Sequence, residues 1–223
     1  MRVLTIALCM IALGGIGLAP RLAQAQSPHT HMHSFSGAEH WARVFDDPER
    51  DTWQKPHQVI EALALKPDAM VADIGSGTGY FSVRLAHFVP KGRVYGVDIE
   101  PDMVKYLADR ARREGLRNLT AVRGASDDAH LSQPVDLALM VDTYHHIAQP
   151  VEYFRKLAGS INPGGRVAII DFNAQSEMGP PPAERVAPVR VMAEMSQAGF
   201  RLLSEHHFLP KQYFLVFQLK AAE

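Results

Sequence analysis

Residues 71–80 of the chain read Val-Ala-Asp-Ile-Gly-Ser-Gly-Thr-Gly-Tyr, an apolar run followed by three alternate glycines. We predict that the apolar run belongs to a buried strand, 70–74, and that a helix begins at Tyr80. Glycines let the backbone turn sharply and let a ligand lie against it, because no Cβ stands in the way. This order of strand, glycine-rich turn and helix predicts a ligand-binding loop.

Strands and helices alternate downstream of this loop, which is typical of a mostly parallel sheet with helices on both faces. The last two strands follow each other directly, which predicts an antiparallel hairpin. The predicted class is therefore α/β, a doubly wound, Rossmann-like, mostly parallel seven-stranded sheet with an antiparallel C-terminal edge hairpin. The predicted strands are 70–74, 93–97, 119–122, 135–141, 166–170, 200–208 and 212–219, and the predicted helices between them are 80–88, 101–114, 151–161 and 183–198.

Composition bounds the class of protein. The chain has 223 residues and is 47% hydrophobic, which suits one globular domain with a short extension. The formal net charge is −1, and the basic residues form no extended basic face, so we expect no nucleic-acid partner. We assign the domain to residues 56–223, preceded at 26–55 by a His-rich start and a helical cap. The sequence indicates no particular oligomeric state.

Residues 1–25 resemble a secretory leader. Arg2 precedes an apolar run, and Ala23-Gln24-Ala25 forms a small-x-small cleavage site. We predict cleavage after Ala25 and export to the periplasm, with no stable membrane insertion afterwards. The alternative is an uncleaved leader that anchors the protein, although the run is short for a membrane span and glycines interrupt it. The only cysteine is Cys9, so the mature chain would contain no disulfide.

The cap region mixes aromatic and charged residues. Ser36 and Glu39 have capping-box spacing and predict a helix start. Trp41 and Trp53 form either an apolar lid or ordinary helix packing, and we favour packing. Arg50 either pairs with an anionic acceptor or lies at the surface. A further candidate lid is the proline-rich loop at 177–182.

An acidic residue follows the second strand. Asp98 comes 19 residues after Gly79, where a carboxylate can accept both ribose hydroxyl hydrogens. The motif Asp73-x-Gly75-x-Gly77-x-Gly79, followed by Val97-Asp98, resembles the class I S-adenosylmethionine-dependent methyltransferase family. The similarity extends over roughly 56–220. A dinucleotide loop usually reads Gly-x-Gly-x-x-Gly, so the earlier third glycine argues against a nicotinamide oxidoreductase.

The resemblance implies S-adenosylmethionine as the cofactor. The family's adenine-binding stretch is similar to residues 124–128, but Ala125 stands where many members place an acid. The adenine contact then falls to Asp127 or Asp128. Asp73 either binds the cofactor or pins the loop. The predicted cofactor-binding residues are Asp73, Gly75, Ser76, Gly77, Gly79, Asp98, Ile99, Asp127, Asp128 and Asp142.

Candidate catalytic residues follow the fourth strand, where ligands bind in parallel sheets. They are Asp142, His145 and His146. A histidine titrates near neutral pH and can remove a proton from a methyl acceptor, or it can be a buried structural residue. We expect methyl transfer to a small molecule. The alternative is an exported non-catalytic binding protein that binds metal through its N-terminal histidines.

The N-terminal histidines are His29, His31 and His33. Imidazole is a good ligand for copper, zinc or nickel. Alternate histidines in a flexible segment do not preorganise a site, so we predict no metal site.

Overall fold

The computed structural model describes residues 37–220, which form a single seven-stranded sheet. The strands are β1 Met70–Ile74, β2 Arg93–Asp98, β3 Leu119–Arg123, β4 Val135–Val141, β5 Ile161–Phe172, β6 Phe200–His206 and β7 Gln212–Leu219. Their order is β3-β2-β1-β4-β5-β7-β6. The first five strands are parallel, and β7 is antiparallel to both β5 and β6. This confirms the predicted sheet and its C-terminal hairpin.

Helices cover both faces of the sheet. They are α1 Ala38–Phe45, α2 Arg50–Gln54, α3 Pro56–Ala62, α4 Tyr80–Phe88, α5 Pro101–Arg113, α6 Pro150–Ala158 and α7 Pro188–Gln197, with short 3-10 turns at Tyr144–His146 and Pro182–Glu184. Four of these α-helices begin with a proline, whose fixed φ suits the first helical turn and whose missing N–H would have no partner there.

The sheet separates two apolar clusters. Leu137 and Leu139 of β4 pack on one side with α3 and α4, and Ala138 and Met140 pack on the other side with α6 and α7. Because successive strand residues face opposite sides, a fully apolar strand such as β4 supplies both clusters. The carboxyl ends of β1, β2, β4 and β5 therefore meet at one edge, above a buried core.

Several predicted boundaries are wrong. The strand predicted over 166–170 extends over Ile161–Phe172, and the strand predicted over 200–208 ends at His206. The helix predicted over 151–161 ends at Ala158, and Ile161 instead begins β5, where it pairs with Val135. The register then shifts before Arg166, so the Pro-Gly-Gly stretch is an irregular strand segment and not a helix stop alone. The helix predicted over 183–198 begins only at Pro188, because a 3-10 turn and an extended segment precede it.

The N-terminal cap also differs in detail from the prediction. Helix α1 is preceded by Gly37 in a left-handed conformation, and no described side chain from Gly37 onward caps its first turn. Helix α2 was not predicted. The predicted capping box pairs Ser36 with Glu39, and Ser36 lies outside the described residues. The predicted leader at 1–25 and the histidines at 29–33 lie outside them as well. Within residues 37–220, no helix is both long and apolar enough to cross a membrane.

Candidate cofactor and acceptor site

The glycine loop, Gly75–Gly79, turns sharply between β1 and α4. Gly75, Gly77 and Gly79 all have positive φ, at 75°, 52° and 95°. A Cβ on Gly75 would lie 2.2 Å from the Thr143 hydroxyl, and one on Gly79 would lie 2.4 Å from Leu107. The loop therefore requires glycine for its backbone conformation and for its close approach to the end of β4.

The loop donates its own N–H groups within the protein. Gly75 and Ser76 donate to the Val97 carbonyl at 2.8 and 3.0 Å, and Gly79 donates to the Ser76 carbonyl at 2.9 Å. Gly77 donates to Asp98 Oδ2 at 2.8 Å. These four groups are not available to a pyrophosphate, which dinucleotide loops hold through free N–H groups.

Three buried or partly buried carboxylates surround the loop. Burial raises the pKa of Asp73 to about 6, although Ser82 donates a 2.5 Å hydrogen bond to it. Burial also raises the pKa of Asp142 to about 6, partly opposed by Arg50. The pKa of Asp98 is raised by burial too, against its backbone hydrogen bonds. Carboxylates in such surroundings favour a cationic ligand and disfavour an anionic one.

Two further predicted cofactor residues suit a ligand. The Ser76 hydroxyl is buried and has no hydrogen-bond partner among residues 37–220, so a ligand atom can satisfy it. Ile99, directly after Asp98, exposes 45% of its surface and offers an apolar face beside the carboxylate. The residues present therefore fit a cationic nucleoside with a ribose and a flat base.

The structure places Asp127 and Asp128 in a turn after β3. Ala125 donates its N–H to the Asp128 carbonyl at 2.7 Å. Lys156 lies 3.1 Å from Asp127 and 3.0 Å from Asp128. The Asp127 side chain is 77% exposed and that of Asp128 is 32% exposed. The backbone N–H of His130 and the nearby Lys156 hold the pKa of Asp128 below its ordinary value.

The cap lies over the glycine loop. The Phe45 ring comes within 3.3 Å of the position that a Gly77 Cβ would take. Asp46 accepts hydrogen bonds from the Thr78 hydroxyl at 3.0 Å and from Arg110 at 2.9 Å. The cap thus contacts the loop through the Phe45 ring and the Asp46–Thr78 hydrogen bond, and an ion pair joins the same carboxylate to Arg110 of α5.

A second set of contacts ties α2 to the start of α4. Asp51 accepts hydrogen bonds from the Tyr80 hydroxyl and, at 3.0 Å, from Arg84. The Tyr80 ring lies between two guanidinium groups, 4.1 Å from Arg50 and 4.0 Å from Arg84. Such cation–π contacts add to the ion pair and fix the cap over the site.

The predicted surface position of Arg50 is wrong, and its predicted pairing with an anionic acceptor stays a prediction. Its side chain is only 14% exposed and lies 3.3 Å from Asp142. It also donates to the Phe45 carbonyl at 2.8 Å. Arg50 is therefore an internal partner of Asp142 and not a surface charge. The tryptophans pack as favoured, with Trp41 stacked on Phe45 and Trp53 beside Phe172.

The segment after β4 collects the candidate catalytic residues. Asp142 has a left-handed backbone, with φ of 54°, a conformation that aspartate tolerates better than most residues. Its carboxylate accepts hydrogen bonds from Gln54 at 3.0 Å and from Gln212. The polar network of Asp142, Arg50, Gln54 and Gln212 joins the cap to the end of the sheet.

His145 and His146 lie on the 3-10 turn that follows. The His145 Nδ1 atom is 2.9 and 3.0 Å from the two carboxylate oxygens of Asp171. Burial lowers the pKa of His145, but the hydrogen bond to Asp171 and the nearby carboxylates outweigh it and raise that pKa above its ordinary value. His146 is exposed, with its ring 4.1 Å from that of His145.

Sequence reasoning missed several residues of this site. Asp171, Gln212 and Tyr213 stand on β5 and β7, and Gln54 on α2. The predicted strand over 166–170 stopped one residue before Asp171. A polar residue at the carboxyl end of an apolar parallel strand was the signal that could have identified it. Within residues 37–220, no group of three or more His, Cys, Asp or Glu side chains could hold a metal ion.

Comparison with known proteins gives the family. A profile described as a methyltransferase domain matches residues 65–206. The chain is 32% identical over 96 residues to the release factor glutamine methyltransferase of Moorella thermoacetica, covering 39% of this chain and 34% of that protein. It is 28% identical over 126 residues to the protein-L-isoaspartate O-methyltransferase of Pyrococcus horikoshii, covering 55% and 54%. The chain thus spans at most about half the length of these curated relatives.

Solved structures agree with this result. An S-adenosylmethionine-dependent methyltransferase from Aquifex aeolicus superposes with a TM-score of 0.76 at 26% identity, covering 82% of this chain and 98% of that one. A glycopeptide N-methyltransferase complexed with S-adenosylmethionine shares the fold, with a TM-score of 0.62 at 12% identity, over 74% and 87%. The family and these neighbours support S-adenosylmethionine as the cofactor. The chain belongs to the methyltransferase domain family.

Proposed function

We propose that the protein transfers a methyl group from S-adenosylmethionine to a small-molecule acceptor. One observation carries the cofactor assignment. Asp73, Asp98 and Asp142 surround a glycine loop in which the N–H groups of the three glycines and of Ser76 are already donated within the protein. This arrangement favours the positive charges of a sulfonium and an ammonium group over the negative charges of a pyrophosphate.

The residues divide among the parts of the cofactor. Asp98 would accept hydrogen bonds from the ribose hydroxyls, with Ile99 against the base. The buried Ser76 hydroxyl, which has no hydrogen-bond partner within residues 37–220, would complete the polar lining of the loop. Asp73 would face the ammonium group, directly or through water. The cofactor supplies a methyl group already activated by a sulfonium, so the protein's main tasks are orientation and exclusion of water.

The cap supports a small acceptor. Helices α1 and α2 lie over the glycine loop and are held by the Asp46–Arg110 and Asp51–Arg84 ion pairs. A large protein substrate would have to displace this cover, whereas a small molecule needs only local opening. The names of the relatives include both protein and small-molecule methyltransferases, among them an erythromycin 3''-O-methyltransferase of Saccharopolyspora erythraea. The acceptor proposal therefore rests on the cap.

Product formation tests this function. The purified full chain is incubated with S-adenosylmethionine carrying a labelled methyl group and with a small-molecule extract, and labelled products are separated by mass spectrometry. We expect a labelled small molecule with wild type and none with Asp98→Ala. Labelling of protein alone would contradict the acceptor class. Cofactor binding without any transfer would instead favour the alternative, an exported binding protein that keeps the fold.

We also propose that the protein is exported and cleaved after Ala25, on the strength of the leader-like pattern at residues 1–25. Mass spectrometry of the protein recovered from its native compartment gives the first residue directly. We expect the mature chain to begin at Gln26 in a periplasmic fraction. An intact N-terminus in a membrane fraction would support the uncleaved anchor.

A further inference from the structure

The His145 ring is held in one orientation by Asp171. Its Nδ1 atom lies within hydrogen-bond distance of both carboxylate oxygens, and its backbone N–H donates to Asp171 Oδ2 at 3.2 Å. Because an ionised carboxylate can only accept, Nδ1 carries the hydrogen and Nε2 is left as the basic atom. The two side chains are 6% and 3% exposed, so the pair is formed away from bulk water.

The charges around this pair come from several elements. Asp171 from β5, Asp142 from the end of β4 and Glu184 from the second 3-10 turn all stabilise a positive charge on His145. His146 is the neighbour of His145 in the turn, and Tyr213 is paired with Asp171 on the adjacent strand β7. Arg50 pairs with Asp142 and is one cation beside these three carboxylates, so the surroundings stay acidic and suit an imidazole that gains a proton during a reaction.

Two residues near Asp171 on β5 and β7 each carry a buried polar atom that has no hydrogen-bond partner in the described part of the chain. The Tyr213 hydroxyl belongs to the residue that pairs with Asp171 across β5 and β7, so both side chains lie on the same face of the sheet. The Asn173 Oδ1 atom follows the end of β5. Buried polar atoms are normally satisfied, so each of these two atoms requires a hydrogen-bond partner, either a water molecule or an atom of a polar ligand.

The pair also lies beside the glycine loop. Thr143, two residues before His145, fills the space against Gly75 where a Cβ would be. His145 and the Thr143 contact with the glycine loop therefore belong to the same short segment after β4. This segment connects the candidate cofactor loop with the His145–Asp171 pair.

We propose that His145, positioned by Asp171, is the general base that deprotonates a hydroxyl acceptor, so that the protein is an O-methyltransferase. This inference rests on the proposed function. The acceptor hydroxyl gives its proton to His145 Nε2 while its oxygen forms the bond to the methyl carbon. The methyl–sulfur bond breaks and leaves its electron pair on sulfur, so the positive charge of the sulfonium is replaced by that of the imidazolium.

The acceptor class follows from acidity. A phenol ionises near pH 10 and an alcohol higher, so a hydroxyl acceptor needs a base at neutral pH. A thiol ionises near pH 8.5, and a neutral amine attacks through a lone pair that it already has. A histidine backed by a buried carboxylate therefore meets a need that hydroxyl acceptors have and that an already neutral amine, such as an aromatic amine, lacks.

Nuclear magnetic resonance tests the pair without any turnover. The ring nitrogens of 15N-labelled full chain are followed from pH 5 to pH 9, and His145 is assigned by comparison with His145→Gln. We expect neutral His145 to carry its hydrogen on Nδ1, and Asp171→Asn to lower its pKa. The matched control is Glu61→Gln, which removes the carboxylate 3.1 Å from the exposed His57 and leaves His145 unchanged. A hydrogen on Nε2 would overturn the proposal.

Kinetics test the role. Hydroxyl, thiol and amine acceptors on matched aromatic scaffolds, namely catechol, thiophenol and aniline, are screened together with a library of hydroxylated metabolites for formation of S-adenosylhomocysteine. We expect turnover of a hydroxyl acceptor, loss of about 100-fold or more in kcat with His145→Gln, and about tenfold with Asp171→Asn. The acidic limb of the pH–rate profile should move to lower pH in Asp171→Asn, with partial recovery of kcat in Asp171→Glu.

The outcomes separate this proposal from the broader one. If the folded protein binds no S-adenosylhomocysteine, the proposed function itself fails. If it binds but methylates only thiols or amines, or no hydroxyl compound at all, the general-base proposal alone is overturned. Loss of kcat with His146→Gln and not with His145→Gln would overturn it as well. Circular dichroism of each variant shows whether it is folded.

Discussion

Replacement of Asp73 by asparagine should change how stability depends on pH. The Asp73 carboxyl is 3% exposed, and its pKa is about 6 instead of 3.8 because burial disfavours the charged form. A carboxyl whose pKa is raised on folding stabilises the folded state fully below its unfolded pKa. That stability is lost as the pH rises through the folded pKa. Ionised Asp73 therefore destabilises the protein at neutral pH, and asparagine removes this cost.

The magnitude follows from the shift of about 2 pKa units. At 1.36 kcal/mol for each unit, the full effect is about 3 kcal/mol, of which about 1.4 kcal/mol develops between pH 5 and pH 8. We expect the free energy of unfolding of Asp73→Asn, relative to wild type, to rise by that amount over this range in urea titrations. The amide oxygen of the new asparagine should still accept the Ser82 hydrogen bond. A difference that does not change with pH would refute the reasoning.

The same variant separates stability from function. If Asp73 binds the ammonium group of the cofactor, Asp73→Asn should bind S-adenosylhomocysteine more weakly than wild type does. Its free energy of unfolding relative to wild type should nevertheless be higher at pH 8 than at pH 5. Titration calorimetry measures the first quantity and urea unfolding the second. Undiminished binding would assign Asp73 only to pinning the loop through Ser82.

Two further predictions concern the cradle and the cap. Gly75 and Gly115 both have a positive φ, at 75° and 70°, so alanine at either position should lower the free energy of unfolding by about 1 kcal/mol. Only Gly75→Ala also meets Thr143, so it should lose roughly a further 1–3 kcal/mol together with cofactor binding. Equal losses for the two variants in urea unfolding would show that the loop is not crowded. Arg50→Ala leaves Asp142 without its cationic partner and should lower the free energy of unfolding by about 3 kcal/mol at pH 8. The double variant with Asp142→Ala should recover part of that loss. If the losses of the two single variants simply add in the double variant, the pairing is contradicted.

The sheet could be predicted because its signals are local. The apolar strand before Gly75 and the hairpin at the C-terminus each follow from residues close together in sequence, and 70–74, 135–141 and 212–219 match the observed strands. Errors arose where the pattern was ambiguous. The Pro-Gly-Gly stretch at 163–165 predicts only the end of a helix. The pairing of Ile161 with Val135 depends on β4, which is distant in sequence.

The site was predicted only in part, for a similar reason. The glycine loop, Asp98 and His145 lie in recognisable motifs, so their positions could be read from the chain. The pairing of His145 with Asp171 joins residues 26 positions apart, and that of Gln54 with Gln212 joins residues 158 apart. Such contacts depend on which strands become neighbours, which local patterns do not encode.

Calorimetric titration of the purified full chain with S-adenosylhomocysteine measures whether the glycine loop and Asp98 form the cofactor site. Asp98 would accept two hydrogen bonds from the ribose, so we expect micromolar binding by wild type and a Kd raised by about 100-fold in Asp98→Ala. NAD, measured in parallel, should not bind, because its pyrophosphate would meet three carboxylates. Binding of NAD in place of S-adenosylhomocysteine, or no binding of S-adenosylhomocysteine by a folded protein, would contradict the account.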